Sequence, residues 1–439
     1  MESENIEEDL RRLEELSKDS AVGDTMYEKR SVIEKILSVG KHFQQTSYIR
    51  DGEVLELETE VEDMLCTLWD ISVEEDVSKF FLEHGVLDIF VELFQNPNNR
   101  VKEISVGIMS NMVYHQSVFL TIMERDKYLE SCCKLLDEKD SPTLLVVLRC
   151  FHSYCFNFFN MLVSDEFVRK KEDIKNVLNR FLVYLSLERI VQNIGLIIAS
   201  CTNKEVLLNA SKFLSIFSEL WEECEERSKI AQFYADEQFL LCLLEAMKES
   251  VGEDKTEKHF SVFLNIVYEN DADKDIFASL SDRVMAISSR LLKEHVLQYQ
   301  KIEETDLEFI FNLVFLIKVS LDSGGFHELP ARLVHHLRSV QFRVQKSEDV
   351  DQSSVNVSSV NRVITSSLSI LETVSGDQEN GDNDEDDSCS TTSQSSTTNS
   401  PSTRTPVQTF DTPQSQFNTP LSTNTFHTPT PKNSFNTPR

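Results

Sequence analysis

His152, flanked by Cys150 and Cys155, is the nearest this chain comes to a nucleophile with a neighbouring base. Within one helix those offsets point the three side chains apart. A thiol in an apolar helical run acts as a small hydrophobe, so all three read as core residues. No G-x-S-x-G, G-x-G-x-x-G, phosphate-binding loop or H-E-x-x-H sequence occurs, the patterns that place nucleophiles, phosphates and metal ligands. The nine cysteines include no C-x-x-C pair, and Cys132 and Cys133 are adjacent, unlike the spacing of zinc modules. The acidic run Glu219, Glu222, Glu223, Glu225 and Glu226 around Trp221 lacks the turn glycines of a calcium loop. It reads as a solvated helix face. The expectation is a protein with no catalytic residue, no metal ligand and no cofactor.

Residues suited to binding are more plentiful. Arg100, Glu103, Gly107, Asn111 and Tyr114 share one strip of a helical run. The Asn111 amide there could clamp the backbone of an extended peptide; the alternative is an Asn bonded to its own structural neighbour. Ser400, Thr405, Thr412, Thr419, Thr428, Thr430 and Thr437 each precede a proline, the context that proline-directed kinases require. Each phosphate would add about -1.5 to -2 charge. Four of these sites sit in F-x-T-P units beginning at Phe410, Phe417, Phe426 and Phe435, aromatic anchors for multivalent docking. The stretch Ala331 to Lys346 has no Asp or Glu and holds Arg332, His335, His336, Arg338, Arg343 and Lys346. It suits an acidic partner or the chain's own acidic tail; the alternative is a solvated end of the fold.

The elements that must carry these residues are helices. Only 10 prolines and 11 glycines occur in 439 residues, and seven of the prolines follow residue 400. A sheet protein of this size needs more turn signals, so the body is predicted all-α. Within Val61 to His115 a helical run ends near Trp69, two short amphipathic runs break at Gly85, and a longer run follows Asn96-Pro97-Asn98. Val101, Ile104, Ile108 and Met112 form one apolar stripe of that longer run, and Val106, Met109 and Val113 form a second. Two stripes require neighbours on two sides, as in a stacked helical repeat. Tyr128 to Leu136 and the run after Asp140-Ser141-Pro142 repeat the pattern at roughly 40 residues, an armadillo or HEAT period. Lys204 to Leu220 is a third long helix, with one longer or irregular repeat before it. Thr25 to Val39 reads as a first helix, Lys41 to Gly52 as a loop, and Ser359 to Thr373 as the capping helix.

The predicted architecture is an armadillo/HEAT-like α-solenoid over residues 25–376. An acidic segment, 1–24, precedes it. A disordered tail, 377–439, follows it, first acidic and then Ser/Thr/Pro-rich. The tail has too little aliphatic surface to fold. Net charge is -31; from Asp377 onward eight acidic residues face three basic ones, so the body carries about -26. Such a field repels nucleic acid and anionic membrane, leaving other proteins or peptides, basic ones included, and a proline-directed kinase as the expected partners. An odd cysteine count and an acidic N-terminus point to a reducing, intracellular compartment. No apolar run approaches the ~20 residues of a membrane span.

Met26-Tyr27-Glu28-Lys29, CTLWDISVEEDVSKFFLEHGVLDIF and RVKEISVGIMSNM carry a likeness to a known family. In these stretches Trp69-Asp70, Glu75-Asp76-Val77, Asp88-Ile89-Phe90 and Gly107 to Met112 fit its pattern. The chain resembles the serum amyloid A-like family of armadillo-type proteins. The resemblance implies an intracellular, largely nuclear helical protein that promotes cell proliferation, without enzymatic activity. In armadillo-type import receptors a Trp one turn before the conserved-position Asn stacks a basic side chain. Here that turn carries Gly107, so a nuclear-signal peptide is not the expected ligand.

Overall fold

The computed structural model describes residues 21–379, apart from 165–166, 168–169, 251–254, 271–274, 298–301, 325–332 and 348–354. The chain divides into two units, Met1–Asp382 and Asn383–Arg439. The second lies outside the described residues, and with it Ser400, Thr405, Thr412, Thr419, Thr428, Thr430, Thr437, Phe410, Phe417, Phe426 and Phe435. The tail expected to be disordered, beyond Glu379, and most of the acidic N-terminal segment therefore also fall outside them.

The expected α-solenoid is what the first unit builds. A leading helix α1 (Lys29–Gln45) is followed by a two-stranded hairpin, β1 (Ile49–Arg50) and β2 (Glu53–Val54), and by α2 (Thr59–Ile71). Three-helix repeats then succeed one another. The first is α3 (Glu75–Glu83), α4 (Val86–Leu93) and α5 (Asn99–Tyr114); the second is α6 (Gln116–Met123), α7 (Asp126–Lys134) and α8 (Ser141–Val163). Next come α9 (Lys171–Leu185), α10 (Glu188–Ser200) and α11 (Lys204–Glu219), then α12 (Arg227–Tyr234), α13 (Glu237–Glu249) and α14 (Thr256–Asn270). The last are α15 (Asp275–Ser279), α16 (Ser281–Leu291) and α17 (Glu304–Ser323), closed by α18 (Leu333–Lys346) and α19 (Val355–Glu379). The third helices α2, α5, α8, α11, α14, α17 and α19 pack in succession, each on the next. Their starts lie 40 to 63 residues apart.

Local chemistry sets the boundaries. Asn98 caps α5 by accepting from the Arg100 and Val101 amides, and Asp140, Asn203 and Asp236 cap α8, α11 and α13 in the same way. Gly85, at φ 71, makes the left-handed turn between α3 and α4. Both stripes of α5 are needed: Val101, Ile104, Val106, Ile108, Met109, Met112 and Val113 are all 0% exposed, held between α2, α4 and α8.

Two expectations change. The first helix begins at Lys29 and runs on to Gln45, and the segment read as a loop holds the end of that helix and the first strand and turn of the hairpin. The cause is tertiary: Phe43 stacks on Tyr48 at 5.4 Å, and His42 shares a 2.7 Å hydrogen bond with the Tyr48 hydroxyl. Between α8 and α11, as expected, one longer repeat spans the gap, and the two helices pack directly. Finally, α19 runs past residue 376 to Glu379.

An aromatic file continues through the core. Phe158 lies 5.4 Å from Phe181, Phe217 lies 5.5 Å from Tyr234, and Trp221 lies 5.8 Å from Phe263. Such pairs add about 0.5–1.5 kcal/mol each beyond their burial. Cys132, Cys133, Cys150, Cys155 and Cys224 are buried, Cys66, Cys201 and Cys242 are half-buried, and all eight are free thiols. Burial pushes the Cys133 and Cys155 thiols well above their ordinary range, which keeps them inert.

Candidate functional site

The strip Arg100, Glu103, Gly107, Asn111 and Tyr114 lies along the face lined by the third helices, and most of it is already engaged. Arg100 donates to Glu62 at 2.7 Å and to Glu103 at 2.8 Å. Burial works against its charge, but the two carboxylates hold its pKa above the usual value. Asn111 donates to the Trp69 carbonyl at 3.2 Å and to the Ser72 hydroxyl at 3.0 Å, so its amide ties α5 to the preceding helix. Gly107 is where the Trp69 indole lands: a Cβ there would stand 2.3 Å from Trp69 Cε2. The aromatic ring missing from α5 is thus supplied by α2. Tyr114 is 58% exposed.

Beyond Tyr114 the same face carries residues that periodicity alone did not single out. Arg149 and His152 project from α8, Lys212 from α11 and His259 from α14, all four half-buried. His152 is therefore not the core residue expected, although Cys150 and Cys155 are. Burial holds His152 down to about 4, with Lys212 and His259 adding to the effect. His259 is likewise held down to about 4 by burial, then by Lys212, Lys255 and Lys258. Residues of three successive repeats are thus close enough to sense one another. Arg149 Nε donates to the Ser110 hydroxyl at 3.3 Å, while its buried Nη2 has no hydrogen-bond partner. Among the described residues no carboxylate stands within ion-pair distance of Arg149, His152, Lys212 or His259. Phe156, 38% exposed, stacks alongside His152.

Two helical turns past Lys212 the sign reverses. Glu219 ends α11 and Glu222 lies in the short helical turn Leu220–Glu223 that follows; both are exposed, as the solvated run read from sequence requires, and they neighbour the exposed Glu269 of α14 and Glu308 of α17. Burial, then Glu308 and Glu222, raise the Glu219 pKa, and burial with Glu222 raises that of Glu269. No cation among the described residues pairs with these four carboxylates.

The basic island around α18 is partly neutralised. Arg338 pairs with Glu372 at 3.0 Å, and His336 bonds the Ser289 hydroxyl at 3.0 Å; Arg332 lies outside the described residues. Among the described residues no His, Cys, Asp or Glu cluster could hold a metal ion. No single described helix is long and apolar enough to cross a membrane. The bent pair α9 and α10, at 65°, passes only when taken together. Its apolar side chains Ile174, Leu178, Phe181, Ile194 and Ile198 are buried in the core.

Stacked three-helix repeats with a continuous third-helix face define an armadillo/HEAT-like solenoid, an architecture suited to holding other proteins or peptides. Over 141 residues, 31% of its length, the chain is 31% identical to protein SAAL1 of Mus musculus, spanning 30% of that relative. It is 32% identical over 133 residues to protein SAAL1 of Homo sapiens, spanning 28% of that protein. It is 24% identical over 251 residues to protein saal1 of Xenopus tropicalis, spanning 51% of it. These names agree with the family resemblance reached from the residues. No protein-family model matches the chain. Among solved structures, a designed armadillo repeat protein aligns with 76% of this chain and 99% of its own, at 14% identity and TM-score 0.30. Another, designed for modular peptide recognition, aligns with 72% of this chain and 94% of its own, at 12% identity and TM-score 0.35. The fold assignment rests on the helix stacking itself.

Proposed function

We propose that this chain is a non-enzymatic interaction scaffold whose third-helix face receives an extended segment of a partner protein. The observation that carries the proposal is the line Tyr114, Arg149, His152, Phe156, Lys212 and His259, which four successive repeats bring onto one face. Half-buried polar groups and exposed rings side by side are the chemistry of a recognition surface. On the strength of the family resemblance, the scaffold works in the nucleus and promotes cell proliferation. The test is affinity capture from cells with the full chain and with a Tyr114→Ala/Phe156→Ala variant of unchanged melting temperature. Loss of specific partners is expected, together with nuclear fluorescence of a tagged chain and slower proliferation after depletion. An unchanged partner set refutes the face assignment.

A second reading has its own observation, the four F-x-T-P units at Phe410, Phe417, Phe426 and Phe435. In it the tail is a substrate and docking platform for a proline-directed kinase, and the solenoid is its anchor. Deleting 388–439 separates the two readings. Full activity of the truncated chain refutes the second.

A further inference from the structure

We infer that the segment received by the third-helix face carries both charges, acidic side chains over Arg149 and Lys212 and basic side chains over Glu219, Glu222, Glu269 and Glu308. The inference rests on the reading of this face as the docking surface, and it replaces a simple preference for basic partners.

Two cations on this face stand without a carboxylate among the described residues. In a chain of net charge -31, a Lys or Arg readily finds a carboxylate. Lys102 has Glu138 at 2.7 Å, Lys175 has Glu223 at 2.7 Å, and Lys258 has Asp306 at 3.2 Å. Among the described residues Arg149 and Lys212 have none. Arg149 is the more telling, because its Nη2 is buried and makes no hydrogen bond. An unmade hydrogen bond at a buried charged group is costly, and a ligand carboxylate toward which the half-buried guanidinium turns removes the cost. His152 and His259 flank the position as further donors.

The acidic cluster carries the opposite sign and is exposed to solvent. Four carboxylates from three repeats stand together without a cation among the described residues. The two clusters cannot neutralise each other, since Lys212 and Glu219 are seven residues apart on α11, about 10 Å along its axis. Each is a set of charges left unmatched within the solenoid, and both open onto the same face. A bound segment of both signs matches both; a segment of one sign matches one and is repelled by the other.

The experiment uses the full chain and four labelled probe peptides of equal length and apolar content: mixed-charge, all-acidic, all-basic and uncharged. Affinity is read by fluorescence anisotropy, and occupancy of the face by photo-cross-linking from benzoylphenylalanine placed at Phe156. The mixed-charge probe should bind most tightly and cross-link. Arg149→Gln or Lys212→Gln should cost it about tenfold, the scale of a lost charge-assisted hydrogen bond, and remove the dependence on its acidic residues alone. Glu219→Gln/Glu269→Gln should cost about threefold, as befits exposed pairs, and remove the dependence on its basic residues. Lys212→Glu, checked for an unchanged melting temperature, should make the all-basic probe the preferred one. Probes that cross-link at position 156 with affinities indifferent to charge overturn the inference and leave the scaffold reading standing. Binding without cross-linking there, or no binding by any probe, overturns both.

Discussion

Gly107 and Trp69 compete for the same space, and glycine is what lets the indole in. Replacing Gly107 by Ala puts a methyl 2.3 Å from Trp69 Cε2, so the ring must leave. The expected outcome is a loss of about 1–3 kcal/mol, the usual cost of overpacking. It should come with a red-shifted emission from Trp69, because Trp221 is fully buried and stays put. An unchanged spectrum and stability would show that the contact is slack. The residue pattern could not reveal this contact. Periodicity identifies which face of a helix is apolar, but not which side chain arrives from a helix 38 positions earlier. His152 was misread for the same reason: its spacing from two core cysteines says nothing of Lys212 and His259, which come from other repeats. Those two histidines give a second prediction. Each titrates near 4 when folded, against about 6.5 when unfolded. The unfolded chain therefore binds more protons between those values. Their contribution to stability is complete above about pH 6.5 and is lost as pH falls toward 4, by at most about 2 kcal/mol each at pH 5. Glu219 and Glu269, raised in the folded state, act oppositely, favouring the folded chain as pH falls. Melting temperature should fall between pH 7 and pH 5, and His152→Gln/His259→Gln should flatten that slope. An identical slope in the double variant removes the histidines as its cause.

At the scale of elements, asparagines join one third helix to the next. Asn111 reaches back to the Trp69 carbonyl, Asn157 donates to the Val113 carbonyl at 2.5 Å, and Asn265 donates to the Asn312 side chain at 2.9 Å. Asn157 is 1% exposed, and the carbonyl it serves ends α5, where no helical donor remains. Asn157→Ala should cost about 2 kcal/mol in urea denaturation, and the half-buried Asn111→Ala less. Equal small losses at both would mean that water replaces the amide. Much of this level was legible in sequence. The breaker-poor body, the stripes of α5 and the capped start of α8 follow from local propensity. Repeat length was harder to read. The span from α8 to α11 looks irregular because α8 itself has 23 residues, and two further helices must be fitted before the chain returns to the stack. The similarity to SAAL1 proteins bears on this level too. Trp69 and Asn111 join repeats. Asp88 does the same, accepting the Tyr128 hydroxyl at 2.8 Å, and Asp76 holds the Asp24 amide at 2.8 Å. Residues that carry the resemblance are joints of the fold, while the charged face lies further along the chain.

The whole molecule is set by its charge. At -31, the folded chain repels itself, and added salt screens repulsion over a Debye length of about 10 Å at 0.1 M. Raising sodium chloride from about 20 mM to about 300 mM should therefore raise the melting temperature. A fall would mean that ion pairs such as Lys102–Glu138 outweigh the general repulsion. Salt should at the same time weaken the capture of a mixed-charge probe, so stability and binding move in opposite directions.

The thiols turn the solenoid into its own clock. Cys66, Cys201 and Cys242 are half-buried, whereas Cys132, Cys133, Cys150, Cys155 and Cys224 are sealed in the core. A disulfide reagent reaches the first three from the native state and the other five only when their repeat opens. In a stack where each repeat touches only its neighbours, that opening need not be global. The labelling rates of the cysteines on α7 and α8, against that of Cys224 just after α11, report whether the repeats breathe one at a time or as a block.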